Sequence, residues 1–288
     1  MPNNPADMIS HPPSIKRSAA FTLIELIVTT GIIIILLTAS LGAYNAGMSK
    51  CRALREIQAG KNLITAYTSH AAENNGTYLP GMDFTVSRIW FQPYNRDITM
   101  MHASNRYPFR LAPYFGYQLK GTILVNDTGR HVDKVATPGT PMHDYVVSAF
   151  PNFGMNYYFV GGCVTGNAVN SSLTYPAECI SRVSQARSIL VFATGGTTDG
   201  TTRIEGFNIL TPPRISASNW SSQKWEKNED PGLHGNVDAR YDGKAVCVFL
   251  DGSIRMQTID QLRDMRLWNR NAAEQNDPNY TVPPDPVL

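Results

Sequence analysis

The chain has 288 residues, 42% hydrophobic and 17% charged, with a formal net charge of +2 and a pI near 8.3. That length supplies one large domain or two small ones with a buried core, and the low charge fraction excludes general disorder. So small a net charge gives no electrostatic case for nucleic acid, and four cysteines are too few for a disulfide scaffold.

Residues 1–20 are polar and end in Lys16-Arg17-Ser18-Ala19-Ala20. Residues 26–49 then carry no charge. In a helix they span about 36 Å, enough to cross a bilayer core of about 30 Å. The basic pair before the run predicts a cytoplasmic N-terminus and an extracytoplasmic remainder. A secretory signal peptide has a shorter apolar run, followed by its small-residue cleavage site. Here Ala19-Ala20 precede the run, an order that predicts a cytoplasmic-side cut leaving the apolar helix on the mature protein. Glu25 stands out, because an ionisable group in a membrane helix costs about 2.5–3.5 kcal/mol. Two readings stay open: a carboxylate at headgroup level, or a functional group with a partner.

Beyond Lys50, Leu54, Ile57, Ile64, Tyr67 and Ala71 recur at helical spacings and predict one buried stripe. Asn74-Asn75-Gly76 and Pro80-Gly81 supply the stop. No proline interrupts 21–79, so one continuous helix of roughly 55 residues, about 80 Å long, is allowed. Gly31, Gly42, Gly47 and Gly60 each weaken it by up to about 1 kcal/mol, as bend points or as sites of close packing.

After Pro80 the apolar runs shorten. Strands are expected at 89–91, 123–125, 145–149, 157–160, 189–193, 245–250 and 254–259, with a hairpin turn at Asp251-Gly252. A short helix is expected over 260–269. The segment 195–236 reads as a long polar loop, and the proline-rich tail 276–288 as extended or mobile.

Catalytic motifs are sparse. The six histidines show no HExxH spacing, and no G-x-S-x-G, P-loop or G-x-G-x-x-G occurs. His131 with Asp133 and His143 with Asp144 are the weighed metal candidates, against ordinary loop polarity; Asp242 and Asp251 read as turn formers. No cofactor, metal or catalytic residue is therefore expected. Cys163 and Cys179 bracket a Gly/Asn/Ser-rich loop and form a candidate disulfide of about 3 kcal/mol in an oxidising compartment. Cys51 and Cys247 read as buried free thiols. Trp90, Phe91, Tyr94, Tyr107, Phe109, Tyr114, Phe115 and Tyr117 read as core more readily than as a carbohydrate surface.

Ala20-Phe21-Thr22-Leu23-Ile24-Glu25 resembles the processing site of type IV pilins and type II secretion pseudopilins. In that family a membrane peptidase cuts before the Phe, methylates the new amine and leaves Glu as the fifth mature residue. The resemblance implies processing at Ala20 and Phe21, and an assembly role for Glu25 against a neighbour's amine. The family usually has Gly before the cut; this chain has Ala20. Glu73–Pro80, Phe153-Gly154-Met155-Asn156-Tyr157 and 243–254 are similar to further motifs of one bacterial branch, with Tyr241 at the place of its signature His and His234, seven residues upstream, as the alternative if an insertion displaces it. The resemblance implies an α+β, pilin-like fold, with a long N-terminal helix packed on an antiparallel sheet. Its expected regions are a leader (1–20), a membrane half-helix (21–49), an amphipathic half (50–79), a sheet domain (80–275) and a tail (276–288). It implies a filament subunit at the inner membrane, whose partners are the prepilin peptidase/methyltransferase, sister pilins, a platform protein, an assembly ATPase and membrane lipid. The competing reading is a membrane-tethered periplasmic binding or adhesion module that never polymerises.

Overall fold

The computed structural model describes residues 22–99, 102–165, 168–169, 178–183, 188–215 and 218–282. The expected leader, with Ala20 and Phe21, lies outside them.

Helix α1 runs Leu23–Glu73, about 76 Å at the usual rise. It ends where Asn75 and Gly76 turn left-handed, at φ 54° and 74°, and the Gly76 N–H reaches back to Ala71 O at 2.8 Å. This six-to-one bond is the Schellman stop that Asn-Gly favours. The chain divides into two compact units, Met1–Met48 and Ser49–Leu288. In the first, helical residues from Leu23 to Met48 leave their large apolar side chains exposed. The helix is long and apolar enough to cross a membrane.

In the second unit, Glu56, Ala59, Leu63, Ile64, Ala66, Tyr67 and Ala71 of α1 are buried. The stripe thus differs from the expected one: Leu54 is 63% exposed and Ile57 half-buried. Gly60 lies on the buried face, where an added Cβ would stand 2.8 Å from a methyl of Val248. Gly60 is a packing glycine, whereas Gly31, Gly42 and Gly47 have nothing within 4 Å.

After α1 come β1 (Met82–Asp83), β2 (Ile89–Phe91), β3 (Arg96–Ile98), α2 (Tyr107–Leu111), α3 (Asp127–Val135) and α4 (Pro141–Ala149). Then follow β4 (Phe153–Met155), β5 (Cys163–Thr165), β6 (Ala168–Val169), β7 (Leu190–Thr194), β8 (Gly196–Thr198), β9 (Arg203–Glu205), β10 (Arg214–Ile215) and β11 (Ser218–Asn219). Strands β12 (Lys244–Phe249) and β13 (Ile254–Thr258) and helices α5 (Ile259–Leu262) and α6 (Arg270–Glu274) close the order. The main sheet is antiparallel, in the order β13-β12-β7-β4. The architecture is α+β: a long N-terminal helix with antiparallel sheets. Val246 and Val248 share one core with Leu63 and Tyr67 of α1, while Cys247 and Phe249 point into a second core with Trp220 and Trp268. That alternation is the period of a strand buried on both faces.

Three expected strands are corrected. Residues 145–149 belong to α4, because Thr140 caps it by accepting from the His143 N–H at 3.3 Å and Pro141 opens it. These local start signals outweigh the β-propensity of Tyr145, Val146 and Val147. Residues 157–160 form a turn closed by the Val160 N–H on Asn156 O at 3.1 Å. Residues 123–125 form a buried loop, with the Ile123 N–H on Leu119 O at 2.9 Å. Such short apolar runs carry no period that separates strand from buried turn.

The expected terminal helix is split, because Asp264 caps a new turn through the Arg266 N–H at 2.9 Å. The tail through Val282 is docked rather than mobile: Met265 N–H reaches Pro278 O at 3.0 Å, Tyr280 donates to Glu178 at 3.0 Å, and Val282 is buried. Residues 195–236 are less loop-like than expected, holding the hairpins β8–β9 and β10–β11. The aromatic group is core: Phe91, Tyr107 and Phe109 are buried, and Phe91 meets Phe109 edge-on at 5.3 Å. Trp90 alone of the eight is mostly exposed, at 55%.

Candidate functional site

Two regions concentrate polar chemistry: the start of α1 and a buried ionic network. At the first, the Thr22 N–H and hydroxyl donate to Glu25 Oε2 at 2.9 and 2.7 Å, while the Glu25 N–H donates to Thr22 Oγ1 at 3.3 Å. This is a reciprocal capping box, which satisfies amide groups that the first helical turn leaves unpaired. Its sequence signal is Thr-x-x-Glu directly before an apolar run. Further along, Thr29, Thr30 and Ser40 donate to carbonyls one turn back, at 2.8, 2.9 and 2.7 Å. These hydroxyls are satisfied within the helix itself.

The second region is centred on Arg240, whose side chain is 7% exposed. Its guanidinium reaches Glu205 at 2.9 Å, Asp238 at 3.3 Å and Glu56 at 3.8 Å, and donates to Gly195 O at 2.7 Å. Arg52 bridges Asp127 at 2.6 Å and Glu205 at 3.0 Å. Arg203 pairs with Asp238, and Arg130 with Asp127. Asn126 donates to Glu56 Oε1 at 3.1 Å, to Arg52 O at 3.1 Å and to the Tyr241 hydroxyl at 3.3 Å. Four carboxylates thus face four guanidiniums. Burial pushes the Glu56 and Asp238 carboxyls above the ordinary range, with Arg240 opposing in both. Burial works against the charge of Arg240, yet Asp238, Glu56 and Glu205 hold its pKa above the usual arginine value.

The network joins the first turns of α1 in this unit to α3, to β9 and to the residues entering β12. Arginines and carboxylates answer one another across these elements and clamp them together. Tyr241, at the position of the resembling signature's His, borders this clamp. His234 stands elsewhere, buried against Trp220 with Nε2 3.1 Å from Glu229.

Asn156, from the mid-chain motif, is a second buried tie. Its Nδ2 donates to Leu190 O at 2.9 Å and to Trp268 O at 3.1 Å, joining β7 to the C-terminal turns. Asn156→Ala strands both carbonyls and should lower the unfolding free energy by about 2–4 kcal/mol. Chemical denaturation of the full chain in detergent, followed by tryptophan fluorescence, checks this.

The candidate disulfide is not formed: Cys163 and Cys179 are buried free thiols. Cys163 opens β5 beside Met82 and lies in the field of Asp83 and Arg110, whereas Cys179 lies in that of Tyr67. Burial pushes both thiols up, Cys179 to about 12, which suppresses the thiolate that oxidation needs. Cys247 is a buried free thiol, but Cys51 is exposed, contrary to expectation.

The metal candidates are drawn into ion pairs, Asp144 with Arg96 at 2.7 Å and Asp133 with Lys120 at 2.8 Å. Among the described residues no group of three or more His, Cys, Asp or Glu is placed to hold an ion. Asp242 turns left-handed at φ 49°, and Asp251 accepts the Ser253 N–H at 2.9 Å. Compared with known proteins, the chain matches no family model, no curated protein and no solved structure.

Proposed function

We propose that the chain is a structural subunit of pilin or pseudopilin type. It is cut between Ala20 and Phe21, methylated on the new amine, held in the inner membrane by α1, and assembled into a secretion pseudopilus or a type IV pilus-like filament. The observation that carries this reading is the division of one 51-residue helix into two halves of different character. Its first half presents apolar side chains on every side, while its second half is embedded in an antiparallel α+β unit. Directly before it stand the residues that resemble a prepilin processing site. A lone anchor needs only a span; a filament subunit needs a span that repacks against copies of itself. On this reading the partners are the prepilin peptidase/methyltransferase, sister subunits, a platform protein and its assembly ATPase.

The Thr22–Glu25 capping box favours a second reading, a tethered module that does not polymerise, because it gives Glu25 a partner in its own chain. Mass spectrometry of the N-terminal peptide from the native membrane fraction separates the two. A mature chain starting at N-methylated Phe21 is expected. A start upstream of Ala20 defeats the filament reading and leaves the tethered module.

A further inference from the structure

Five Asn-x-Ser/Thr triplets without a middle proline occur in the chain, beginning at Asn75, Asn126, Asn170, Asn219 and Asn279. Such a triplet is the acceptor signal for N-linked glycan transfer in exported chains, and the glycan needs its asparagine on a surface turn or loop. The surroundings of the five differ. Asn126 spends its Nδ2 on Arg52 O, Glu56 and Tyr241, and Thr128 is buried with its hydroxyl on Asn152. Trp220, which follows Asn219, is buried with its indole N–H on Thr211 O at 2.8 Å. Asn279 accepts from Arg214 at 3.1 Å, and Tyr280 beside it is tied to Glu178. Asn170 lies outside the described residues. Asn75 and Thr77, in contrast, are both exposed, and neither side chain has a hydrogen-bond partner among the described residues.

Asn75 sits in the turn that stops α1, at φ 54°. The backbone around it is fixed: the Gly76 N–H is on Ala71 O at 2.8 Å, the Thr77 N–H on Asn74 O at 2.9 Å and the Tyr78 N–H on Ser181 O at 2.9 Å. An Asn-Gly pair also invites deamidation, in which the glycine nitrogen attacks the asparagine side-chain carbon and ammonia is lost. Here that nitrogen is the donor of the Schellman bond, so the attack requires the helix stop to open first. The Asn75 side-chain nitrogen carries no such restraint, which favours reaction at Nδ2 over reaction at Cγ.

We propose that Asn75 is a glycan acceptor, taking an oligosaccharide from a polyprenyl diphosphate carrier on the extracytoplasmic side of the membrane. A bond forms between Asn75 Nδ2 and the anomeric carbon of the first sugar, and the bond from that carbon to the diphosphate oxygen breaks. Polyprenyl diphosphate leaves, and one amide proton passes to solvent. The inference rests on export of the unit beyond residue 48, which the filament and tethered readings share, and on neither cleavage nor polymerisation.

The test is mass spectrometry of the tryptic peptide 62–88 from the full chain in its native host's membrane fraction. The peptide should be heavier by a whole number of sugar residues, with fragments placing the addition on Asn75. Asn75→Gln and Thr77→Ala should each lose the addition, and Thr77→Ser, which keeps the hydroxyl, should retain it. Thr77→Ala leaves Asn75 and Gly76 in place, so its effect is not that of a broken helix stop. A bare Asn75 in the unaltered chain, a peptide altered by deamidation alone, or a glycan that survives Thr77→Ala overturns the proposal. Protease added outside spheroplasts separates this failure from failure of the export reading. A digested unit with bare Asn75 defeats the proposal alone, whereas a protected unit defeats export and the proposal together.

Discussion

Arg240→Met should cost the full chain about 3–5 kcal/mol of unfolding free energy, the range for removing one partner of a buried ionic cluster. For a unit of this size that is a melting temperature lower by roughly 10 °C. The cause is not a lost contact but what stays behind. Glu56 and Asp238 are fully buried, and Arg240 is the main charge opposing the upward push of burial on both. Without it two desolvated carboxylates remain, of which Asp238 retains Arg203 and Glu56 retains only the hydrogen bonds of Asn126 and Tyr241.

The sign of the pH dependence follows. A carboxyl whose folded pKa lies above its unfolded value contributes fully below the unfolded value, and that contribution is lost as pH rises through the folded one. Removing Arg240 raises both folded values further and extends the loss upward. The deficit of Arg240→Met should therefore be larger at about pH 7.5 than at about pH 5. Circular-dichroism melts of the full chain in detergent at the two pH values read it directly. Arg240→Met/Glu56→Gln removes one cation with one anion and should regain most of the loss. An equal deficit at both pH values, with no recovery in the double variant, would show that Arg240 acts through packing alone.

The long helix was legible because its signals are dense: an uncharged run, no proline to Leu79 and an Asn-Gly stop. Strands β7 and β12 were legible from their apolar runs, and β13 from the Asp251-Gly252 turn that pairs it with β12. What escaped was set by contacts distant in sequence. Leu54 has the spacing of a buried residue, but the packed face is the one with Ala59, Leu63, Ala66 and Tyr67, where Gly60 admits Val248. Tyr145, Val146 and Val147 have strand composition, yet Thr140-Pro141 starts a helix ahead of them. The ionic network was invisible, since Arg52, Glu56, Asp127, Glu205, Asp238 and Arg240 look in sequence like ordinary surface charges. Only Glu56, on the core face of an otherwise apolar stripe, offered a clue. The tail as far as Val282 packs although Pro278 marks it as extended chain, since extended chain can pack; residues 283–288 lie outside the described residues.

Glu25 offers the sharpest separation of two roles that one side chain can hold. As the third residue of a capping box it contributes hydrogen bonds, and Gln serves there as well as Glu. As the counter-ion of a neighbour's terminal amine it contributes charge, which Gln lacks. On the filament reading, Glu25→Gln should abolish sheared filaments as completely as Glu25→Ala, while leaving the chain cleaved, methylated and integral to the membrane. Thr22→Val keeps the carboxylate and removes the reciprocal cap, worth about 0.5–2 kcal/mol at the helix start. It should leave filaments reduced rather than absent. If Glu25→Gln assembles normally and only Glu25→Ala fails, the carboxylate is a cap and the assembly role falls. If all three variants behave as the unaltered chain, the apolar surface of α1 needs no polar group to pack, and the tethered module becomes the better account of this helix.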